Sequence, residues 1–192
     1  TLVDTEPVWM AAERELAAEH GVEWTHADGL ALVGLALPDS GAYIKDRLGS
    51  ERSPADIVDY LVQRVATHLT EQVPWRPGAL DLVAAFAEAE VPQALVTMSY
   101  APIAKAVADH LPFDAVVTGD AVVMGKPHPE AYLTAAELLG HAPEDCLAIE
   151  DSPTGAAAAS AAGCEVLVIP HLVDVPAGPR RFTHPSLAGS TP

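Results

Sequence analysis

At 192 residues the chain is long enough to bury a sizeable core, as one domain of ordinary size or as a domain carrying an insertion. A formal net charge of −17 excludes a nucleic-acid surface, which needs a basic stripe to meet phosphate. Any anionic ligand must therefore be held by local cations or backbone N–H groups, and no apolar run approaches the length of a membrane span.

The chain begins Thr1-Leu2-Val3-Asp4-Thr5-Glu6-Pro7, which reads as the tail of a strand-to-loop connection with Thr5 as N-cap and no initiator Met. A helix is predicted over residues 8–20, stopped by Gly21, and a short apolar helix over residues 28–37. Pro38-Asp39-Ser40-Gly41 is predicted as a loop, residues 41–48 as a helix closed by Gly49, and Ser53-Pro54 as the start of a long amphipathic helix. In that helix Ile57, Leu61, Val65 and Leu69 recur at i, i+4. No strand is predicted between residues 8 and 73.

Pro74-Trp75-Arg76-Pro77-Gly78 breaks the pattern, and apolar strands then alternate with helices. Helices are predicted over residues 79–90, 101–110, 129–139 and 153–162, and strands over 93–97, 113–118, 146–149 and 164–169. That alternation predicts a parallel sheet covered on both faces. From Pro170 onward Pro, Gly and Arg dominate, and an irregular tail is expected. Cys146 and Cys164 have no metal-ligand spacing and read as two buried, reduced thiols of a cytoplasmic protein. With no long apolar seam, a monomer is expected.

Three loops carry the candidate chemistry. Thr97-Met98-Ser99 offers a hydroxyl and N–H groups ahead of a helix, a usual place for an anion, although strand-end hydroxyls also simply cap helices. Gly125-Lys126-Pro127-His128-Pro129 fixes one of only three lysines between Gly and Pro. Glu150-Asp151 ends an apolar strand just before the predicted N-cap Ser152. Two adjacent carboxylates suit a hard cation such as Mg²⁺, and equally suit a solvated acidic helix N-terminus.

Taken together, Val96-Thr97-Met98-Ser99, Gly125-Lys126-Pro127 and Ile149-Glu150-Asp151-Ser152 resemble the second, third and fourth motifs of the haloacid dehalogenase-like superfamily, in its β-phosphoglucomutase-like phosphatase branch. The opening seven residues resemble the end of that branch's first motif, and Arg76-Pro77-Gly78 its return to the core. The resemblance implies an α/β fold with a Rossmann-like parallel sheet core, residues 1–7 and 75–192, and an inserted four-helix-type cap, residues 8–74. It implies Mg²⁺ held in part by Glu150 and Asp151, and a phosphoryl group held by Thr97, Met98, Ser99 and Lys126, with Thr97 and Lys126 also serving catalysis. In the family an aspartate attacks the phosphoryl group and a second protonates the leaving oxygen. Both precede the position of Thr1, so the chain as written is expected to lack turnover.

Within the superfamily, Glu150-Asp151 argues against a metal-independent dehalogenase. A phosphonatase needs a Schiff-base lysine in the cap, where Lys45 alone is available and reads as an exposed helix residue. A sugar-phosphate mutase needs a cap His and Arg, and the alignment puts Trp9 and Leu37 in their places. The expectation is an Mg²⁺-dependent phosphatase of a small phosphorylated metabolite such as a sugar phosphate, with Trp9, Leu37 and Ser40 facing the substrate. The alternatives are the mutase and a non-catalytic module that binds a phosphorylated ligand.

Overall fold

The computed structural model describes residues 1–32 and 35–190, and the chain divides into two compact units. One is Thr5–Val73; the other joins Thr1–Asp4 to the residues from Pro74 onward.

The first unit consists of α1 (Glu6–Glu19), α2 (His26–Leu30), α3 (Leu37–Leu48) and α4 (Pro54–Glu71). Its longest helix follows its predicted pattern. Ser53 and Asp56 close a capping box, and Ile57, Leu61, Val65 and Leu69 are all buried. Three expectations are corrected. The short helix ends at Leu30, held by a capping box between Thr25 and Asp28, and part of the expected stretch, Val33 and Gly34, lies outside the described residues. The expected loop at residues 38–41 is instead the start of α3. Pro38 fits a first helical turn, where its missing N–H has no partner to lose. Gly41 is a helix residue with no side chain, as its place requires: α4 passes so close that a Cβ there would lie 2.5 Å from the Pro54 carbonyl oxygen. Lys45 is not an exposed residue either: its ammonium donates to the carbonyls of Ser50 (3.1 Å) and Arg52 (2.8 Å), which ties down the turn after α3.

Inside this unit, Glu13 of α1 is buried, and its Oε2 accepts the Trp24 indole N–H at 3.1 Å. Burial pushes its carboxyl up to about 7; the Trp24 bond and Arg14 lower it only in part, and Glu6 raises it. The folded chain therefore holds a proton that the unfolded chain releases near 4.5. That contribution is complete below pH 4.5 and is lost as pH rises through about 7. Glu13→Gln keeps an acceptor for Trp24 and removes the titration. Urea unfolding should show the variant gaining on the parent from pH 5 to pH 8, by up to about 3 kcal/mol. A constant difference over that range would contradict the assignment.

The second unit alternates as predicted: α5 (Ala79–Glu88), β1 (Ala94–Val96), α6 (Ala101–Ala108), β2 (Ala115–Val117), α7 (Glu130–Leu139), β3 (Leu147–Glu150), α8 (Pro153–Ala162) and β4 (Glu165–Val168). A fifth strand, β5 (Arg181–Thr183), lies in the tail expected to be irregular. It pairs with the edge of β4, Val166 opposite Arg181 and Val168 opposite Thr183. Three residues without an apolar pattern give no periodic signal, and only the neighbouring strand edge makes them a strand.

All the pairings between named strands are parallel, but they form two sheets, β1–β2 and β3–β4–β5, where one was expected. The two are tied together by side chains. Val96 of β1 packs against the cluster of Tyr132, Ala148, Ala156, Ala159, Val166 and Val168. Leu2 packs with Ile149 and Leu167 against Ala79, Leu82, Ile169 and Leu187. The small residues Ala156, Ala158 and Ala159 of α8 are fully buried and let that helix approach the sheet closely. Gly78 is required at the entry to α5. Its φ is +83°, and a Cβ would lie 2.4 Å from the backbone of Leu187 and Ala188.

Residues 1–4 run extended beside Pro74–Arg76. Val3 bridges Trp75, Asp4 N–H donates to the Pro74 carbonyl, and Arg76 N–H donates to the Leu2 carbonyl. This brings Thr1 and Arg76 to the carboxyl end of β3. Cys164 is buried and Cys146 half-buried, and both are free thiols raised chiefly by burial, Cys164 to about 11.

Candidate functional site

β3 delivers the carboxylates. Glu150 is its last residue and Asp151 follows, and Ser152 caps α8 by accepting the Gly155 N–H at 3.0 Å. The two side chains, paired as equals in the sequence, have different surroundings. Glu150 is 4% exposed and receives five donors. Oε1 accepts Lys126 Nζ at 2.5 Å and Tyr132 OH at 2.6 Å. Oε2 accepts the N–H groups of Asp151 and Ser152 and the Ser152 hydroxyl, at 3.2, 3.3 and 3.0 Å. Burial alone would raise its carboxyl. The Lys126 charge, with hydrogen bonds from Lys126 and Tyr132, overcomes that and holds it below the ordinary value.

Asp151 is more open, with 23% of its side chain exposed. It pairs with the Arg76 guanidinium at 3.2 Å and accepts the Thr1 hydroxyl at 3.0 Å. Arg76 also donates to the Pro170 carbonyl, which fixes the guanidinium between the two chain segments.

Lys126 arrives from the loop after β2. Glu130 shapes that loop by accepting the N–H groups of Val123 (2.7 Å) and Met124 (2.9 Å), bonds that lower its carboxyl. The Lys126 N–H meets Met98 Sδ at 3.3 Å. Its ammonium, 8% exposed as a side chain, donates to the Val96 carbonyl at 3.0 Å as well as to Glu150. One lysine thus links the carboxyl ends of β1 and β3, strands that share no sheet. The Tyr132 ring lies 4.8 Å from the ammonium and its hydroxyl 3.3 Å away.

Thr97 follows Val96 directly. Its N–H donates to the Val117 carbonyl, and its hydroxyl oxygen accepts the Ser99 N–H at 3.1 Å. That cap leaves the hydroxyl proton to serve another acceptor. The N-terminus of α6, expected as an anion seat, already holds one: Asp120 accepts the Ala101 N–H through both oxygens. The structure therefore brings Thr97, Lys126, Glu150 and Asp151 to one end of the second unit, with Met98 and Ser99 next to them in the chain. In the first unit Trp9 and Leu37 are half-buried, and Ser40 is buried within α3.

Sequence reasoning missed three participants. Tyr132 in the first turn of α7 looked like any core aromatic. Arg76, in sequence only part of the return to the core, reaches Asp151 because residues 1–4 and 74–76 pair. Gly155 lies against the Glu150 carboxylate, where a Cβ would meet Oε1 at 2.0 Å.

A divalent cation can be tested against this donor set. Among the described residues no group of three or more His, Cys, Asp or Glu side chains gathers. Glu150 has its lone pairs filled and its face closed by Gly155, so it offers a metal no open direction. Asp151 fits, since Mg²⁺ commonly takes one or two carboxylates and keeps several waters. The charges agree as well. The side chains of Lys126 and Arg76 balance those of Glu150 and Asp151, so an incoming phosphate dianion has no counter-charge left within the cluster.

The chain matches the family model of the haloacid dehalogenase-like hydrolases over residues 1–163. It is 36% identical over 130 residues to hexitol phosphatase A of Escherichia coli strain K12, covering 65% of this chain and 60% of that protein. Its fold superposes on CbbY from Rhodobacter sphaeroides in complex with xylulose-(1,5)bisphosphate with a TM-score of 0.82 and 27% identity, covering 98% and 91% of the two chains. A putative β-phosphoglucomutase from Thermotoga maritima gives a TM-score of 0.74 at 27% identity, covering 93% and 84%. The chain, with its parallel α/β core, strand-end motifs and helical unit, belongs to the haloacid dehalogenase-like hydrolases, in the β-phosphoglucomutase-like branch.

Proposed function

We propose that this protein is an Mg²⁺-dependent phosphomonoesterase acting on a small sugar phosphate. The observation that carries the reading is the Lys126 ammonium, fixed between Glu150 and the carbonyl of Val96, the residue that precedes Thr97. A cation and a hydroxyl held at strand ends suit a reaction that needs mostly positioning and electrostatic stabilisation. Lys126 and Thr97, with Met98 and Ser99, hold the phosphoryl oxygens, and Asp151 holds the metal. When bound, the cation neutralises charge developing on the phosphoryl group. In the family pattern the phosphoryl group passes to an aspartate ahead of the position of Thr1, and water then releases it. Residues 8–74 take the part of the family's cap, and Trp9 and Leu37 are its candidate substrate residues; Ser40, buried in a helix, is left out of that role. Hexitol phosphatase A, by its name, acts on a phosphorylated sugar alcohol, and it supports the substrate class. The free thiols of Cys146 and Cys164 fit a reducing cytoplasm.

A mutase is the second reading, favoured by the likeness to the putative β-phosphoglucomutase. A second phosphate needs a cation in the cap, and the apolar Trp9 and Leu37 supply none. Assay of the full-length protein on sugar and sugar-alcohol monophosphates, with a sugar bisphosphate for comparison, tests the proposal. Phosphate release that stops with EDTA and returns with excess Mg²⁺ is expected. Release that ignores EDTA, or isomerised sugar phosphate without release, would overturn it.

A further inference from the structure

The Tyr132 hydroxyl is buried in the second unit beside Lys126 and Glu150, and phosphate binding does not itself use it. It lies in the 8%-exposed core of α7, yet it is aimed at the charged pair rather than at a backbone partner. It touches both members of that pair, donating to Glu150 Oε1 at 2.6 Å and lying 3.3 Å from Lys126 Nζ, while its ring faces the ammonium at 4.8 Å.

An ammonium has three protons. Two of those on Lys126 make firm bonds, to the Val96 carbonyl at 3.0 Å and to Glu150 Oε1 at 2.5 Å. The third has only the Tyr132 oxygen, at the long end of hydrogen-bond range. That oxygen already gives its own proton to Glu150, so it can accept the third bond weakly and yield it without being left unsatisfied. A phosphoryl oxygen can take over this third proton while the other two bonds keep the lysine in place.

Glu150 needs the tyrosine for a matching reason. Its Oε2 is pinned by two backbone N–H groups and the Ser152 hydroxyl, and Gly155 closes one side. Oε1 is shared between Lys126 and Tyr132 alone. Without the hydroxyl, Oε1 has one donor, and the carboxylate draws on a second ammonium proton, the one a ligand would use.

We propose that Tyr132 is a positioning residue of the phosphate site: its hydroxyl completes the seat that Glu150 forms for Lys126 and keeps the third ammonium proton available to a phosphoryl oxygen. The inference rests on Lys126 as the phosphate-binding cation, and the experiment separates the two ideas. The chain contains only Lys45, Lys105 and Lys126, so ¹⁵N-lysine labelling gives three ammonium signals at most. Lys126→Met identifies its own signal. Inorganic phosphate, followed by its ³¹P shift, reports binding, and circular dichroism melts report folding.

Tyr132→Phe, which keeps the ring, should shift and broaden the Lys126 signal and weaken phosphate binding about five- to tenfold, the effect of about one hydrogen bond. Tyr132→Leu should weaken it further, and Glu150→Gln should resemble Tyr132→Phe or exceed it. If Glu150→Gln fails to fold, the tyrosine variants decide. Phosphate affinity within twofold of the parent in Tyr132→Phe, together with a clear loss in Lys126→Met, overturns the role of Tyr132. Parent protein that binds no phosphate, or Lys126→Met that binds as well as the parent, overturns the reading of Lys126 itself.

Discussion

Lys126→Met is expected to lower the stability of the protein by about 3–5 kcal/mol at pH 7, the usual effect of leaving one member of a buried ion pair alone. Side chains of Lys126 and Glu150 are 8% and 6% exposed, so solvent cannot stand in for the lost ammonium. Methionine replaces most of the lysine's volume, which keeps the cavity contribution small. The sign of the pH dependence identifies the cause. In the parent, Glu150 titrates below its ordinary value, so its contribution is present above that value and is lost as pH falls through the folded pKa. In the variant burial prevails, and the carboxyl rises above its ordinary value. The gap between parent and variant should thus be widest at neutral pH and narrow towards pH 4 in urea titrations. A gap that does not depend on pH would mean that packing, not charge, is lost.

Gly155→Ala should cost about 2–4 kcal/mol, although alanine in an open helix position is favoured over glycine by about 1 kcal/mol. The new Cβ would lie 2.0–2.2 Å from Glu150 Oε1, Cδ and Oε2. A flexible carboxylate would swing away, but this one is held by five donors and has no second place to go. Relieving the overlap means breaking the seat of Lys126, so phosphate affinity should fall together with the melting temperature. A variant as stable as the parent or more so would show that Glu150 is free to move, against the saturation argument.

Much of this was legible in the sequence because it is local. Ser53-Pro54 and the i, i+4 spacing from Ile57 to Leu69 define α4 by capping and periodicity alone. Ser152-Pro153 likewise starts α8 where expected. The α3 start is not legible locally, because Pro38 and Gly41 look like a turn until α4 lies alongside them. The three motif loops could be named from their residue types, but the relation among their side chains could not. Nothing in Tyr-x-x at the start of α7 distinguishes a packed aromatic from one hydrogen-bonded to a carboxylate eighteen positions away.

The sequence by itself determined the alternation of strands and helices, the helical block ahead of them, and the candidates Thr97, Lys126, Glu150 and Asp151. Each of those follows from capping, periodicity or residue chemistry within a few positions. Only the tertiary structure decided that β5 exists, that Arg76 belongs to Asp151, and that Glu150 and Asp151 differ in kind. Hydrogen-bond saturation and burial are properties of what surrounds a side chain, and for Glu150 those surroundings come from residues 126, 132, 152 and 155.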